Sequence, residues 1–394
     1  MSVTGYTKAQ MDTIIASINA SEPQTRVRFS TLTGANDDAK LASFISSAGA
    51  GVNGYFGQTL VLDEMRTYSF TSQHTIYSGF SIVSAGRSTD QARSGLPIPN
   101  KVNLSISGGT GNGGWLVLPS SNVFGVNMAG LSFDGSSTSR VFDPNGSAVL
   151  WMSTFRDICM QNIASFMGSS STQQSIDLST FGGLWNLNNV RDCAFNIAGS
   201  DATFMWERNS VDCPNSLGTA SQTLVYFSNS SKATVYNLYI TCDQKSGMSV
   251  SGNSGQREQR YVGCEFEGRN VGAPCFGAVV RGTGDHSFTF CRFANGMSGG
   301  SNGRTDKGLV YQTGGIWHLD HCTFELATGQ PTSTVMYAID AGTARLTNAK
   351  TEGLNAPFLP KILAPAGGST TTAGNMTTYT FTGGSVTFDD TFTM

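Results

Sequence analysis

One feature constrains this chain more than any other: a short apolar signature that recurs through its middle. The pattern is an inward residue, a spacer and a second inward residue. It appears at Leu131-Ser-Phe133, Ile158-Cys-Met160, Cys193-Ala-Phe195, Leu238-Tyr-Ile240, Cys264-Glu-Phe266, Cys291-Arg-Phe293, Cys322-Thr-Phe324 and Ala349-Lys-Thr351. Successive starts are 27, 35, 45, 26, 27, 31 and 27 residues apart, the variable period of a solenoid. Three residues before each start stands an apolar residue (Met128, Phe155, Val190, Val235, Tyr261, Phe288, Leu319, Leu346). One residue before stand Gly130, Asp157, Asp192, Asn237, Gly263, Phe290, His321 and Asn348. Most of these are Gly, Asp or Asn, which tolerate a left-handed backbone. A spacing of three between inward residues cannot hold in a straight strand, whose faces alternate every two. A corner must therefore separate two strands. A third apolar run usually precedes the pair, at Leu116–Leu118, Ile176–Leu178, Val225–Phe227, Met248–Val250, Ala278–Val280 and Met336–Ile339. Three short strands per turn, repeated and stacked, predict an all-β chain: a single-stranded, right-handed parallel β-helix.

Composition agrees. Only 13% of the 394 residues are charged, the net charge is −3, and Gly (47) and Phe (24) are abundant. A basic nucleic-acid-binding surface and a charged disordered tail are both excluded. No apolar run reaches the length of a membrane span, so no membrane insertion is expected. The opening Met1–Tyr6 has neither a basic nor an apolar leader region, so no export signal is read there. The eight cysteines contain no C-x-x-C pair. Cys193, Cys264, Cys291 and Cys322 share one inward column and are expected to stack as free thiols, since neighbouring strands hold Cβ atoms too far apart for a disulfide.

The ends differ from the middle. Residues 1–26 are read as an attachment or oligomerisation segment with a helix over 6–19. Thr7–Gln10 forms a capping box there, and Met11, Ile14, Ile15 and Ile18 form an apolar stripe. That stripe is expected to pack on the β-helix as a cap, in a symmetric bundle with sister chains, or on another protein as a docking peptide. A second helix is predicted over 37–48, with Leu41, Phe44 and Ile45 on one face, opening a β-helix over 27–363. Residues 364–394 read as a Gly/Ser/Thr linker followed by a β-hairpin around Gly383-Gly384.

The segment Thr33–Gly49, followed by Gly57–Leu62, Tyr68 and Phe80–Gly86, resembles the first turns of the pectate-lyase superfamily of right-handed β-helices. The resemblance extends over residues 27–352 and implies the fold. It does not imply an activity, because that superfamily includes lyases, hydrolases and bacteriophage tailspikes. Of the catalytic segments of its polygalacturonase-type members, only Asp37-Asp38 matches any, and it falls in the predicted capping helix; Asp389-Asp390 falls in the hairpin. His318-Leu-Asp-His321 has ligand-like spacing, but His321 is a corner residue, so no metal and no cofactor is expected. Glu265 and Arg292 share an outward column on adjacent turns and read as a surface ion pair. Trp317 reads as core.

The longest excursion, residues 196–223, carries Asp201, Trp206, Glu207, Arg208 and Asp212. Long loops on rigid scaffolds concentrate binding groups, and carboxylates near an aromatic ring suit a sugar. A loop folded on its own Trp or buried between subunits is the plainer alternative. Tyr226, Tyr311 and Tyr337 are expected to face outward, for sugar stacking or for a subunit interface. The start Thr4–Asp12 resembles minor tail proteins of actinobacterial phages. Together these features favour a bacteriophage tail protein, either a minor tail protein or a tailspike. It would be assembled in the host cytoplasm, located in the virion tail, and in contact with other tail-tip proteins and host cell-surface polysaccharide. The resemblance implies a homotrimer. The second reading is a polysaccharide lyase or glycoside hydrolase, and the third a cell-surface adhesin.

Overall fold

A computed structural model describes residues 25–48, 58–85, 102–107, 114–213, 223–228, 233–242, 246–251, 259–269, 279–296, 309–326, 335–353 and 359–394, with a few short gaps. The expected helix over 6–19 and Asp201 lie outside the described residues. The fold is a parallel β-helix. A ten-stranded sheet runs from Val123–Phe124 to Lys361–Leu363, and a 22-stranded sheet carries the strands on either side of the corner. A three-stranded sheet formed by His74–Thr75, Gly114–Val117 and Arg140–Phe142 closes the early turns. The Leu116 run therefore belongs to this side sheet and not to the ten-stranded one.

The corner is real, with one change of membership. Gly130 (φ 70°), Asp157 (55°), Gly183 (70°), Asn237 (52°), Gly263 (65°), Phe290 (55°), His321 (53°) and Asn348 (57°) all stand in the left-handed region. The strand registers on either side place them in one column. Asp192 is not among them. Its carboxylate instead accepts a 2.7 Å contact from the nearly buried Arg140 guanidinium. The segment Val190–Phe195 imitates the repeat, but Phe195 opens a strand of the ten-stranded sheet, paired with Val225. The turn it was taken for is made by Phe181, Gly183 and Leu187, stacked on Phe155 and Met160.

That misalignment hid a further turn. Ala202–Cys213, expected as part of a loop, is a strand of the 22-stranded sheet, with Phe204 beside Phe181 and Val235, and Val211 beside Leu187 and Ile240. The 45-residue gap in the repeat is thus one extra turn.

Inside, identical positions stack at the strand spacing of about 4.8 Å. Phe266, Phe293 and Phe324 follow one another with ring centroids 5.5 and 5.4 Å apart, and Tyr261 lies 4.7 Å from Phe288, nearly parallel to it. Trp317 is fully buried, as expected. Cys264, Cys291 and Cys322 are buried free thiols one turn apart. Cys193 is also free and buried but belongs elsewhere, its thiol directed at the Phe195 carbonyl. Burial, reinforced by the two neighbouring thiols, pushes Cys291 well above the usual thiol range.

Both ends are covered. Helix α1, Asp37–Ala48, buries Leu41 and Phe44 on the first turn. At the other end Met376–Phe381 and Gly384–Phe388 form the expected hairpin, and the second of these strands stacks in parallel on Gly342–Thr347. Ser369–Ala373, read as linker, adds a third antiparallel strand.

Candidate functional site

The outward face of the 22-stranded sheet carries a ladder that only the stacking reveals. After the corner, each turn has a short strand whose first and third residues flank an inward one. In the first column Tyr239, Glu265, Arg292, Thr323 and Lys350 lie side by side. In the third-residue column Thr241, Glu267, Ala294, Glu325 and Glu352 do the same. Alternation sets this arrangement: Phe266, Phe293 and Phe324 occupy the inward positions between them, so the flanking residues fall on the opposite face of the strand, where Ala294 is covered.

Arg292 is the hub. One guanidinium nitrogen pairs with Glu265 and the other with Glu325, so a single cation bridges carboxylates two strands apart. Each of the three side chains is about two-thirds covered. Tyr239 donates its hydroxyl to Glu267 at 2.6 Å. Between Glu267 and Glu325 stands Ala294, which is buried. Four carboxylates (Glu265, Glu267, Glu325, Glu352) face two cations (Arg292, Lys350), so the ladder carries net negative charge. Glu265 and Arg292 are visible in sequence as a pair. Glu267, Glu325, Glu352 and Tyr239 escaped notice because no local motif links residues about 27 apart.

The residues expected to bind sugar are distributed differently. Trp206, Glu207 and Arg208 fall where the Ala202–Cys213 strand shifts register against its neighbour, between Met205 and Asn209. Asp212 pairs with Thr241, which pairs with Glu267, so its backbone position continues the acidic column. Tyr226 and Tyr311 occupy one register column of the ten-stranded sheet, separated by Ser249 and Arg281. Tyr311 donates to the Asp340 carboxylate. Tyr337 is not outward. It aligns with Val310, not with Tyr311, and is fully buried, its hydroxyl turned to Gln312. The direct register of the two strands puts it beside Val310, which is itself inward. Tyrosines 226 and 311 therefore belong to one sheet and the acidic ladder to another.

The corner beside the ladder has its own chemistry. Phe290 and His321 lie against each other with centroids 5.2 Å apart and planes tilted by 47°, and His321 Nδ1 lies 3.0 Å from Asp320. Partial burial would raise the Asp320 carboxyl, but hydrogen bonds from Asn348, Thr347 and His321 outweigh it and hold the group below the usual range. His318 is exposed on the preceding strand. Among the described residues no three His, Cys, Asp or Glu side chains come together as a metal site.

Comparison with solved structures bears on the fold. DFA-IIIase from Arthrobacter chlorophenolicus A6 without its lid superimposes with a TM-score of 0.54 at 10% identity, covering 88% of this chain and 93% of that one. The same enzyme with its lid gives 0.54 at 10% identity, covering 86% of each chain. The fold is a right-handed parallel β-helix. The gp42 tailspike of Acinetobacter phage vb_AbaP_AS12 aligns at a TM-score of 0.38 and 8% identity, over 84% of this β-helix and 63% of the tailspike. No family model matches the sequence of this β-helix, and no curated protein matches it.

Proposed function

We propose that this β-helix holds a polysaccharide along the acidic ladder of its 22-stranded sheet, in the manner of a tail-associated protein that contacts a host cell envelope. One observation carries the reading. Arg292 is locked between Glu265 and Glu325, with Glu267 and Tyr239 alongside. Fixed carboxylates accept hydrogen bonds from sugar hydroxyls, and the guanidinium donates to ring and hydroxyl oxygens. Because the stacked turns hold these groups in place before ligand arrives, little ordering opposes binding. The net negative charge favours a neutral or amino-sugar glycan over a polyuronate, which the carboxylates would repel. The tail location and a trimeric assembly belong to the same proposal, supported by the low surface charge and by the resemblance at the N-terminus.

A second reading has its own observation. Glu325 and Glu352 lie directly opposite on neighbouring strands, whose backbones are about 4.8 Å apart. Paired carboxylates about 5–5.5 Å apart serve retaining glycoside hydrolysis. The test is incubation with host-envelope polysaccharide, followed by co-sedimentation and by reducing-end and unsaturation assays. Binding without new ends is expected. Arg292→Ala should abolish binding while shifting stability by less than about 1 kcal/mol, since the ion pairs are near the surface. New reducing ends that disappear in Glu325→Gln would establish the second reading instead.

A further inference from the structure

The corner beside the ladder holds a residue that folding alone does not favour. Every corner position requires a left-handed backbone, and the chain fills this column with Gly, Asp or Asn at Gly130, Asp157, Gly183, Asn237, Gly263 and Asn348. Phe290 and His321 break the pattern, and of the two only Phe290 lacks a polar atom to offer the turn. A bulky side chain at φ 55° is a conformational outlier, and such strain tends to persist at sites of function. Phe290 is also 63% exposed, more than any other large apolar residue among those described. Burial therefore does not explain it either. Met152 and Leu178 share the left-handed geometry, but they are aliphatic.

The surroundings of Phe290 are those of a sugar platform. Its ring packs on His321, the next corner residue, at 5.2 Å. On the other side stands Gly263, where the Asn237 side-chain oxygen lies 2.9 Å from the place a Cβ would take. Two residues further along the strand, Arg292 begins the ladder, with Glu265 and Glu325 on either side. Asp320 and Asn348, hydrogen-bonded to each other at 2.9 Å, supply a polar edge beyond His321. An apolar ring next to ordered carboxylates, an amide and a guanidinium matches a pyranose or furanose, which presents a C–H face and a rim of hydroxyls.

We infer that Phe290, backed by His321, stacks against one sugar residue of the polysaccharide and anchors it beside Arg292. The inference rests on the polysaccharide reading above and adds to it the contact that fixes register along the column. The test uses the full chain on an array of neutral, amino-sugar and uronate oligosaccharides, followed by calorimetry with the strongest neutral binder. Phe290→Asn puts into the corner a residue already used at Asn237 and Asn348, so it should fold and raise the melting temperature. It should also weaken glycan affinity by about tenfold or more, with Phe290→Trp retaining it. Wild-type binding that Phe290→Asn leaves unchanged would overturn the platform alone. An array on which the wild type binds nothing would overturn the polysaccharide reading and the platform together. A loss of oligomeric state in Phe290→Asn with intact glycan binding would assign the ring to a subunit contact and likewise overturn the inference.

Discussion

At the scale of single residues, stacked backbones leave room for very little at certain positions. Gly315 has φ 78°, and a Cβ there would lie 2.0 Å from the carbonyl oxygen of Gly284 one turn below. Gly342 repeats the problem one turn above, where a Cβ would lie 2.3 Å from the Gly315 oxygen. Gly315→Ala combines left-handed strain with a collision against backbone, and should cost at least about 2 kcal/mol in urea denaturation. Titratable groups in the core add a pH limit. Burial raises the phenols of Tyr261 and Tyr337 and the thiol of Cys291 well above their ordinary values. The folded state thus keeps protons that the unfolded state releases once pH passes its thiol and phenol values, about 8.5 and 10. The stabilisation is complete below those values. It should fall by up to about 1.4 kcal/mol per pH unit per group above them. Urea midpoints between pH 7 and 10.5 would measure the decline, and a flat profile would contradict it. The inward Phe and Cys positions were legible in the sequence because each carries its own apolar signature. Tyr337 was not, because nothing local tells whether it aligns with Val310 or with Tyr311.

Among the elements, the two ends do what the repeating turns cannot do for themselves. An open end of a β-helix exposes a strand edge and a cross-section of the core. At the first turn, Asp38 of α1 accepts hydrogen bonds from Thr71 N (2.8 Å), Thr71 Oγ1 (2.7 Å), Ser72 N (3.2 Å) and the buried His74 (2.9 Å). Partial burial opposes the charge, but the bonds from Thr71, His74 and Ser72 prevail and lower the carboxyl. Its contribution is present above the ordinary carboxylate value and is lost as pH falls through the lowered one. Asp38→Asn should cost about 1–3 kcal/mol at neutral pH and flatten the acid limb of the stability profile. The sequence marks Asp37-Asp38 only as a fragment of a catalytic motif; the structure gives Asp38 a part in holding the cap. At the far end Val386 is fully buried, Phe392 packs on Phe324, and Asp389 accepts from the Asn348 backbone. A chain ending at residue 363 should expose that edge and elute as aggregate in size-exclusion chromatography with light scattering. The hairpin was readable from its alternation around Gly383-Gly384. Ser369–Ala373 was not, because an all-exposed Ser/Thr strand resembles a linker in composition.

For the molecule as a whole, function and fold were legible to different degrees for one reason. A solenoid writes its fold locally, turn by turn, so Gly130, Asn237 and Gly263 announce the corner within a few residues of each inward pair. Its surface is written across turns. Glu267, Glu325 and Glu352 become neighbours only when the register is known, and one misread turn at Val190–Phe195 is enough to scatter such columns. Asp212 shows the effect: read as part of a loop, it occupies a position continuous with the ladder. The same architecture sets the response to force. Peptide hydrogen bonds between successive turns point along the long axis and lie one after another, so a pull on the two ends would peel off a turn at a time at low load. A push along that axis instead closes each strand against the next, and the whole aromatic stack resists it.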